Sequence, residues 1–583
     1  MKMKTIDSVK KKNVLRKIFS KKTLNRRLPI TKWITESYKL STFIQDLLAG
    51  ITVGATAVAQ GIAFAMVADL SPEYGLYSLI TGGFIYTLFG NCRNMSVGPT
   101  AILSALTAKF VRGLSSDFAV LATFLAGLVQ LTLGVFQLGF LVEFISGPVI
   151  TGFITGAVLQ VNCGQLKTLF GMSGDAGNTF VEAIENLYRN YNTLNIWDTV
   201  LGVVTMLILL LLKKLGDGCS RNDSSIRKIR WFACLARNTI VVVIGIVVAF
   251  ICYLIWGSGS ELTIIGEIKG GMPSFQLPAF STTVGNQTYD FKQMLETLGP
   301  QSIVLPLISL LEVVVIAKAF TPDSNFDTTQ EILAVGLCNF LGSFLGSMPT
   351  TGSFSRSAIL KSTGAQTPLA GVFVSLIIIL SLSVLMSLFY FIPKCVLAAL
   401  IILSVASLLH TEEMISMWKT SKKEFFVMFV TVIVCCTVGL EYGVIVGVVL
   451  DMLFILFKSA RPRINESRMK INGRDVLVVA LPETVSYCSA EYIRKTILRA
   501  TVNLNINSFI IIDGTNTLSV DTTVAKNIMD AFTDTYENHF QIVFLNFNPD
   551  IVKMMLELNF RQKSKFVNGM TVEKLIENSP GNV

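Results

Sequence analysis

The sequence predicts an α-helical protein that crosses a membrane many times and ends in a small α/β domain. Three observations carry that reading. Of the 583 residues, 51% are hydrophobic and only 15% charged, with a mean hydropathy of +0.59, far too apolar for a soluble chain. Apolar stretches of about 20 residues, enough to cross a bilayer core as helix, recur as far as residue 458. From about Met469 the texture changes to short apolar runs alternating with amphipathic ones. The expected organisation is a basic N-terminal region at 1–45, a transmembrane domain at 46–458 and a C-terminal domain at 469–583.

The first 45 residues hold thirteen Lys and Arg against Asp7 and Glu36. Such a tail reads as a cytosolic segment held near anionic membrane lipid rather than as a nucleic-acid binder. No cleavable signal pattern precedes the first apolar run near Leu47. The formal net charge of +10 therefore reports topology and not a partner.

Full spans are expected at about 46–68, 74–91, 117–139, 143–162, 195–214, 238–257, 301–320, 329–347, 368–390, 394–409, 424–440 and 442–458. Two shorter segments, about 98–112 and 352–362, bring the total to fourteen. Each opens on related text: SVGPTAILS from Ser96, and TGSFSRSAIL from Thr351. Gly98-Pro99 in the first, and Pro349 with Gly352 in the second, read as a break followed by a helix start. Pro99 is expected near the first helical position, where its missing N–H costs nothing. A helix that starts inside a membrane presents free amides and a positive dipole end at depth. Those amides are tolerated where they line a cavity, and they suit an anion. Each half-helix is the third of seven segments, and this placement predicts a 7+7 inverted repeat with the binding site between its halves.

Loop charge sets the sides. Lys213, Lys214, Arg221, Arg227, Lys228, Arg230 and Arg237 separate the sixth and seventh segments. Lys419, Lys422 and Lys423 follow the twelfth, and Lys458, Arg461 and Arg463 the last. All should face the cytosol, which puts both termini inside. The two long opposite loops, about 164–194 and 258–300, are slightly acidic. The second contains Asn286-Gln287-Thr288, a glycosylation acceptor on the expected outer side. Asn94, Asn222 and Asn465 match the same pattern on the expected inner side.

Ten cysteines are scattered without a CxxC, and only His410 and His539 are histidines. Metal ligation needs clustered ligands, so no metal or other cofactor is expected. Cys252, Cys338, Cys435 and Cys436 read as small packing residues. In the C-terminal domain, VLVVAL (476–481), SFIIID (508–513) and QIVFLNF (541–547) are expected strands. Helices through 490–501, from about Asp521 and from Pro549 should alternate with them in a small, mostly parallel sheet. No nucleotide-binding motif is present there.

The chain resembles the sulfate permease (SulP-type) anion transporters with a C-terminal STAS domain, from about Leu28 to Glu577. The resemblance is carried by AQGIAFAMVADLSPEYGLYS (59–78), RNMSVGPTAILS, LLEVVVIAKAF (310–320) and SMPTTGSFSRSAILKSTGAQTPLAG (347–371). GPTAI, LLE and GSFSR most resemble the animal branch of sodium-independent sulfate carriers. The resemblance implies a core-and-gate membrane domain, a homodimer and a cytosolic STAS domain. Ala59 stands where the family usually has Pro, which should straighten the first span. Leu360 stands where it often has Asn.

Candidate site residues follow. Arg356 falls one turn into the second half-helix, where an unpaired cation near the midplane is costly; it reads as counter-charge to an anion, or as half of a salt bridge with Glu312. Glu312 lies mid-span, and Lys318, six residues on and about 120° round the helix, is not a same-face partner. Burial penalises a charged carboxylate, so Glu312 reads as a coupling group that takes up a proton or compensates divalent charge. Gln60 and Phe64, four apart, should share a face; the resemblance implies that they border the anion. Thr100, Ser353 and Ser355 bring hydroxyls to the half-helix starts, as anion ligands or as caps. Thr522 matches the turn that carries a phosphorylatable serine in bacterial anti-sigma antagonists, and also reads as the start of a helix.

Together these readings point to a secondary active anion transporter, sodium-independent and not an enzyme, in a multi-pass plasma or endolysosomal membrane. Sulfate is the expected substrate, moved by exchange or with protons. An exchanger of chloride, bicarbonate or oxalate, or a chloride conductor, is the alternative on the same scaffold. A nucleobase carrier fits Arg356 poorly, and a non-transporting sensor fits an intact charged site poorly.

Overall fold

The computed structural model describes residues 27–572, apart from 175–176, 178, 217–224, 257–260, 268–270, 322–326, 410, 472–473, 502–507, 537–540, 559–564 and 571. Most of the basic tail, Arg221, the Asn222 acceptor and both histidines lie outside the described residues. The chain divides into two compact units, Met1–Val448 and Val449–Val583.

The first unit begins with a short helix, α1 (Ile30–Ser37), then α2 (Leu40–Val67) and α3 (Pro72–Phe89). The strand β1 (Val97–Gly98) leads into α4 (Ala101–Val111), and α5 (Asp117–Val135), α6 (Gly147–Leu169), α7 (Phe180–Arg189), α8 (Ile196–Gly216), α9 (Ser225–Leu235) and α10 (Arg237–Trp256) follow. A hairpin of β2 (Ser281–Val284) and β3 (Gln287–Asp290) precedes α11 (Phe291–Leu298), α12 (Gln301–Phe320) and α13 (Thr328–Ser343). The strand β4 (Thr351–Gly352) leads into α14 (Phe354–Thr363), then α15 (Ala370–Leu380), a π turn at Ser381–Leu385 and α16 (Met386–Phe389). Last come α17 (Lys394–Ala406), α18 (Thr411–Thr420), α19 (Lys422–Thr437) and α20 (Leu440–Ala460), which continues past Val448 into the second unit.

Each of the fourteen apolar segments coincides with helix, and α2 runs unbroken through Ala59. By length and composition, 8 helices among the described residues can cross a membrane. The other four segments expected at full length do not reach that measure. Of these, α3 carries Glu73 and many small or hydroxyl residues, while α13 and α19 have 16 residues each. The stretch after Ala370 is broken by its π turn.

The helices pack in two groups. In one, α2, α3, α4 and α5 pack with α12, α13, α14 and α15. In the other, α6 packs with α17 and α19, and α8 with α10 and α17. Lipid offers no hydrophobic drive for helix pairing, so close crossings rest on small residues. At the α2–α3 crossing, a Cβ on Gly75 would lie 2.1 Å from the carbonyl oxygen of Gly61. No side chain fits there.

The second unit is a five-stranded sheet of order β11-β10-β8-β6-β5: β5 (Asn465–Ile471), β6 (Arg474–Ala480), β8 (Phe509–Asp513), β10 (Gln541–Leu545) and β11 (Phe566–Val567). The short strands β7 (Thr484–Val485) and β9 (Ser519–Val520) pair separately. Only β5 is antiparallel to its neighbour. The helices α21 (Ala490–Thr501), α22 (Thr522–Tyr536) and α23 (Pro549–Glu557) alternate with the strands. Leu477, Ile493, Ile510, Ile528 and Phe544 form the core. Asp521 accepts from the Val524 amide at 2.9 Å and so caps α22, which begins at Thr522.

A Gly75→Leu substitution forces α2 and α3 apart, and overpacking of this kind costs about 1–3 kcal/mol. The thermal midpoint of detergent-purified protein should fall by several degrees. An unchanged midpoint would show that the crossing yields without cost.

Candidate functional site

The two half-helices start beside one another because the strands ahead of them pair. Val97 faces Gly352 and Gly98 faces Thr351 in an antiparallel register, extended by Ser353 N–H donating to the Ser96 carbonyl at 2.9 Å. Ser357 on α14 accepts from the Ser96 amide at 3.1 Å. The sequence predicts Pro99 near the first helical position; the helix begins at Ala101 with Thr100 as N-cap. Pro99 lies one residue earlier, which leaves its carbonyl free for another donor.

That donor is Arg356. Its two terminal nitrogens donate to Pro99 O at 3.2 and 3.1 Å, one of them also to Gln60 Oε1 at 3.3 Å, and Nε donates to Ser96 Oγ at 3.3 Å. The side chain is 0% exposed, and among the described residues it has no carboxylate within ion-pair distance. The Glu312–Arg356 pair that the sequence admits is therefore not formed. An Arg held by neutral acceptors leaves a positive charge in an apolar interior, where charge seeks a counter-ion. Gly98 makes the approach possible, since a Cβ there would lie 2.9 Å from Arg356 Nη2.

In front of this clamp lies a cavity of about 270 Å³, between the two helix groups. The first group lines it with Phe64, Thr100, Glu312, Ser353 and Ser355; the second with Ile150, Thr151, Ile154, Ser404 and Leu408. Ala101, Ile102, Phe354 and Ser355 also line it, so the first-turn amides, which have no acceptor within their own helices, start at its wall. Thr100 caps α4 by accepting from the Leu103 amide, and gives its one hydroxyl proton to Glu312 Oε2 at 3.1 Å. Glu312 is 8% exposed, and its Oε1 has no hydrogen-bond partner. Ser353 makes no side-chain cap; its Oγ lies 3.4 Å from that of Ser355.

The expected site residues thus divide. Phe64, Thr100, Glu312, Ser353 and Ser355 meet at the cavity. Gln60, fully buried one turn before Phe64, instead bridges Arg356 and Ser355 Oγ, the latter at 3.4 Å. Arg356 stands behind the half-helix starts. Asn286 is far from both, at the exposed tip of the β2–β3 hairpin.

Sequence reading missed two sets of residues. Glu413 on α18 lines the cavity and accepts from Thr151 at 3.2 Å; its place in a charged loop hid it. Asn339 accepts from the Thr350 amide at 2.8 Å and donates to Gln130 at 2.9 Å, fixing the chain just ahead of β4. Amides inside apolar segments, such as Gln130 and Asn339, were the available signal, since buried polar groups need partners.

The profile of the Sulfate permease family matches residues 43–431. A sodium-independent sulfate anion transporter from Bos taurus is 32% identical, over 97% of this chain and 93% of its own length. The chloroplastic sulfate transporter 4.1 of Arabidopsis thaliana is 31% identical over 75% of this chain, which spans 62% of that relative. Among solved structures, murine solute carrier 26 family member A9, an anion transporter in the inward-facing state, superposes with a TM-score of 0.81. It is 22% identical and covers 97% of each chain, so the likeness is one of fold. The transmembrane domain of a cyanobacterial bicarbonate transporter gives a TM-score of 0.56 over 71% of this chain and 98% of its own.

Removing the clamp tests the site directly. Arg356→Ala should lower sulfate uptake at least about tenfold, equivalent to ~1.4 kcal/mol, while the protein still reaches the cell surface. Uptake at the wild-type rate would make Arg356 peripheral to the anion.

Proposed function

The chain belongs to the sulfate permease family, whose members are transporters rather than enzymes, and from that premise we propose that it is a sodium-independent secondary active sulfate carrier. One observation carries the reading: two half-helix starts, one capped by Thr100 and the other opening on Ser353 and Ser355, flank a cavity backed by a guanidinium without a counter-ion among the described residues. Amides and hydroxyls there suit an oxyanion's oxygens, and Phe64 offers its ring edge. Movement of the first helix group against the second would expose the cavity to each side in turn.

Glu312 makes the carrier pH-sensitive in this reading. With Glu312 ionised, its charge offsets that of Arg356, and a divalent anion meets repulsion. With Glu312 protonated, Arg356 is no longer offset by it, and among the described residues Glu413 is the one lining carboxylate left to oppose the anion. Transport by proton coupling or by exchange follows from the same acid. The lining carboxylate also weighs against the alternative of a chloride conductor, because it repels a monovalent anion that brings no proton.

The finer architecture belongs to the same proposal. The fourteen segments form two inverted sets of seven, with α4 and α14 third in each. The C-terminal unit is a cytosolic STAS domain, and the protein works as a homodimer in the plasma membrane, its basic tail on anionic lipid. The exposed hairpin tip supports Asn286 as a glycosylated outer residue. Chloride, bicarbonate and oxalate are the competing substrates.

Counter-flow of labelled sulfate in proteoliposomes at two pH values tests the proposal. Sulfate, and not sodium alone, should raise the thermal midpoint of purified protein. At a sulfate concentration of about 100 times Kd, mass action contributes ~2.7 kcal/mol. A shift that needs sodium and ignores the anion would instead indicate a cation-coupled carrier.

Sulfate uptake should rise as external pH falls, because protonation removes the repelling charge. Glu312→Gln, a mimic of the neutral acid, should flatten that dependence. A full pH response in the variant would leave Glu312 with a structural role.

A further inference from the structure

Two charged residues outside the cavity face each other across the two helix groups. Lys109 lies in the last turn of α4, in the first group, and Glu441 in the first turn of α20. Their Nζ and Oε2 atoms are 2.7 Å apart, and the side chains are 9% and 6% exposed. The second group holds α20: a Cβ on Gly443 or Gly447 would strike Cys435 or Thr431 of α19. Gly439, at φ +146°, leaves the pair its space, since a Cβ there would lie 3.0 Å from Lys109 Nζ and 3.2 Å from Glu441 Oε1.

The pair and the cavity lie at opposite ends of the same helices. Lys109 is nine residues from Thr100, or about 13 Å along the helix at ~1.5 Å per residue. Glu413, which bounds the cavity, lies on α18 ahead of α19, and Glu441 follows just after α19, a helix of 16 residues or about 24 Å. The cavity therefore reaches one end of the interface between the groups, and the ion pair closes the other.

Resting on the carrier reading, we propose that Lys109 and Glu441 are positioning residues of the transport step: an ionic latch that holds the far side shut and separates when the helix groups move. A buried ion pair suits this task. Joined, each charge compensates the other in a dry interface; parted by an opening that admits water, both are hydrated. An apolar pair would hold the same surface shut more firmly, and a lone buried charge would favour opening. The sign of the effect thus depends on charge and not on packing volume.

Three variants test this: Glu441→Gln, the apolar double variant Lys109→Met with Glu441→Leu, and the reversed pair Lys109→Glu with Glu441→Lys. The fraction of carrier open on a face scales the apparent affinity measured there. Glu441→Gln should lower the half-saturating sulfate concentration on the latch side about threefold or more and raise it on the cavity side. The apolar pair should shift both values the other way, and the reversed pair should restore them. A purely structural role would lower the maximal rate and leave the two sides unopposed. Equal shifts on both sides, or an apolar pair that behaves like Glu441→Gln, would overturn the latch.

A second readout needs no transport. Cys435 is fully buried beside the pair. A membrane-impermeant thiol reagent applied from the latch side should label it several-fold faster in Glu441→Gln and more slowly in the apolar pair, with Cys435→Ala as the blank. If the wild-type protein carries no sulfate yet labelling follows this order, the sulfate reading fails and the latch stands. Labelling indifferent to all three variants sinks the latch. Should Glu441→Gln fail to fold, the apolar pair decides alone: slower labelling supports the latch, and an unchanged rate overturns it.

Discussion

Two residues of antiparallel pairing hold this molecule's site together. Val97–Gly98 and Thr351–Gly352 are separated by about half the first unit, yet their register brings the starts of α4 and α14 together. Backbone amides at a helix start lack partners within the helix, and in an apolar interior such groups persist only beside something that satisfies them. Asn339 and Gln130 secure the approach to β4, and Arg356 reaches across to the carbonyl of Pro99. The consequence is a polar focus buried among apolar helices.

The charges are arranged to be incomplete. Arg356 is satisfied in hydrogen bonds but not in charge, whereas Glu312 has one oxygen satisfied and the other orphaned. Both conditions are costly when permanent. They are readily relieved by an anion beside Arg356 and a proton on Glu312. Gln60 links the halves of this arrangement, since it touches both Arg356 and Ser355 on the cavity side.

Small residues do the mechanical part. Gly75 lets α2 and α3 touch backbone to backbone, so helices within a group pack as one piece. Between the groups, apolar contacts such as those of α2 with α17 are interrupted by an open cavity at one end and by the Lys109–Glu441 pair at the other. Close packing inside each group and a separable interface between them are what a rocking motion requires.

Much of this was legible in the sequence because the bilayer imposes lengths. Helices appear at all fourteen apolar segments, the Gly/Pro breaks before Thr100 and Ser353 mark the half-helices, and the strands near 476, 508 and 541 lie where apolar runs alternate with amphipathic helices. Mid-span Glu312 and Arg356 were conspicuous because charge is rare there. Their partners were not legible. Nothing local assigns Arg356 to Pro99, Gln60 and Ser96 rather than to Glu312, or sets Lys109 against Glu441. Those pairings join residues hundreds of positions apart, and which donor reaches which acceptor is decided by helix crossings that glycines such as Gly75 and Gly98 permit. The sequence by itself determined which segments are helix and which residues carry charge. The tertiary structure alone decided which charges are satisfied, because hydrogen bonding and desolvation depend on distances that only packing sets.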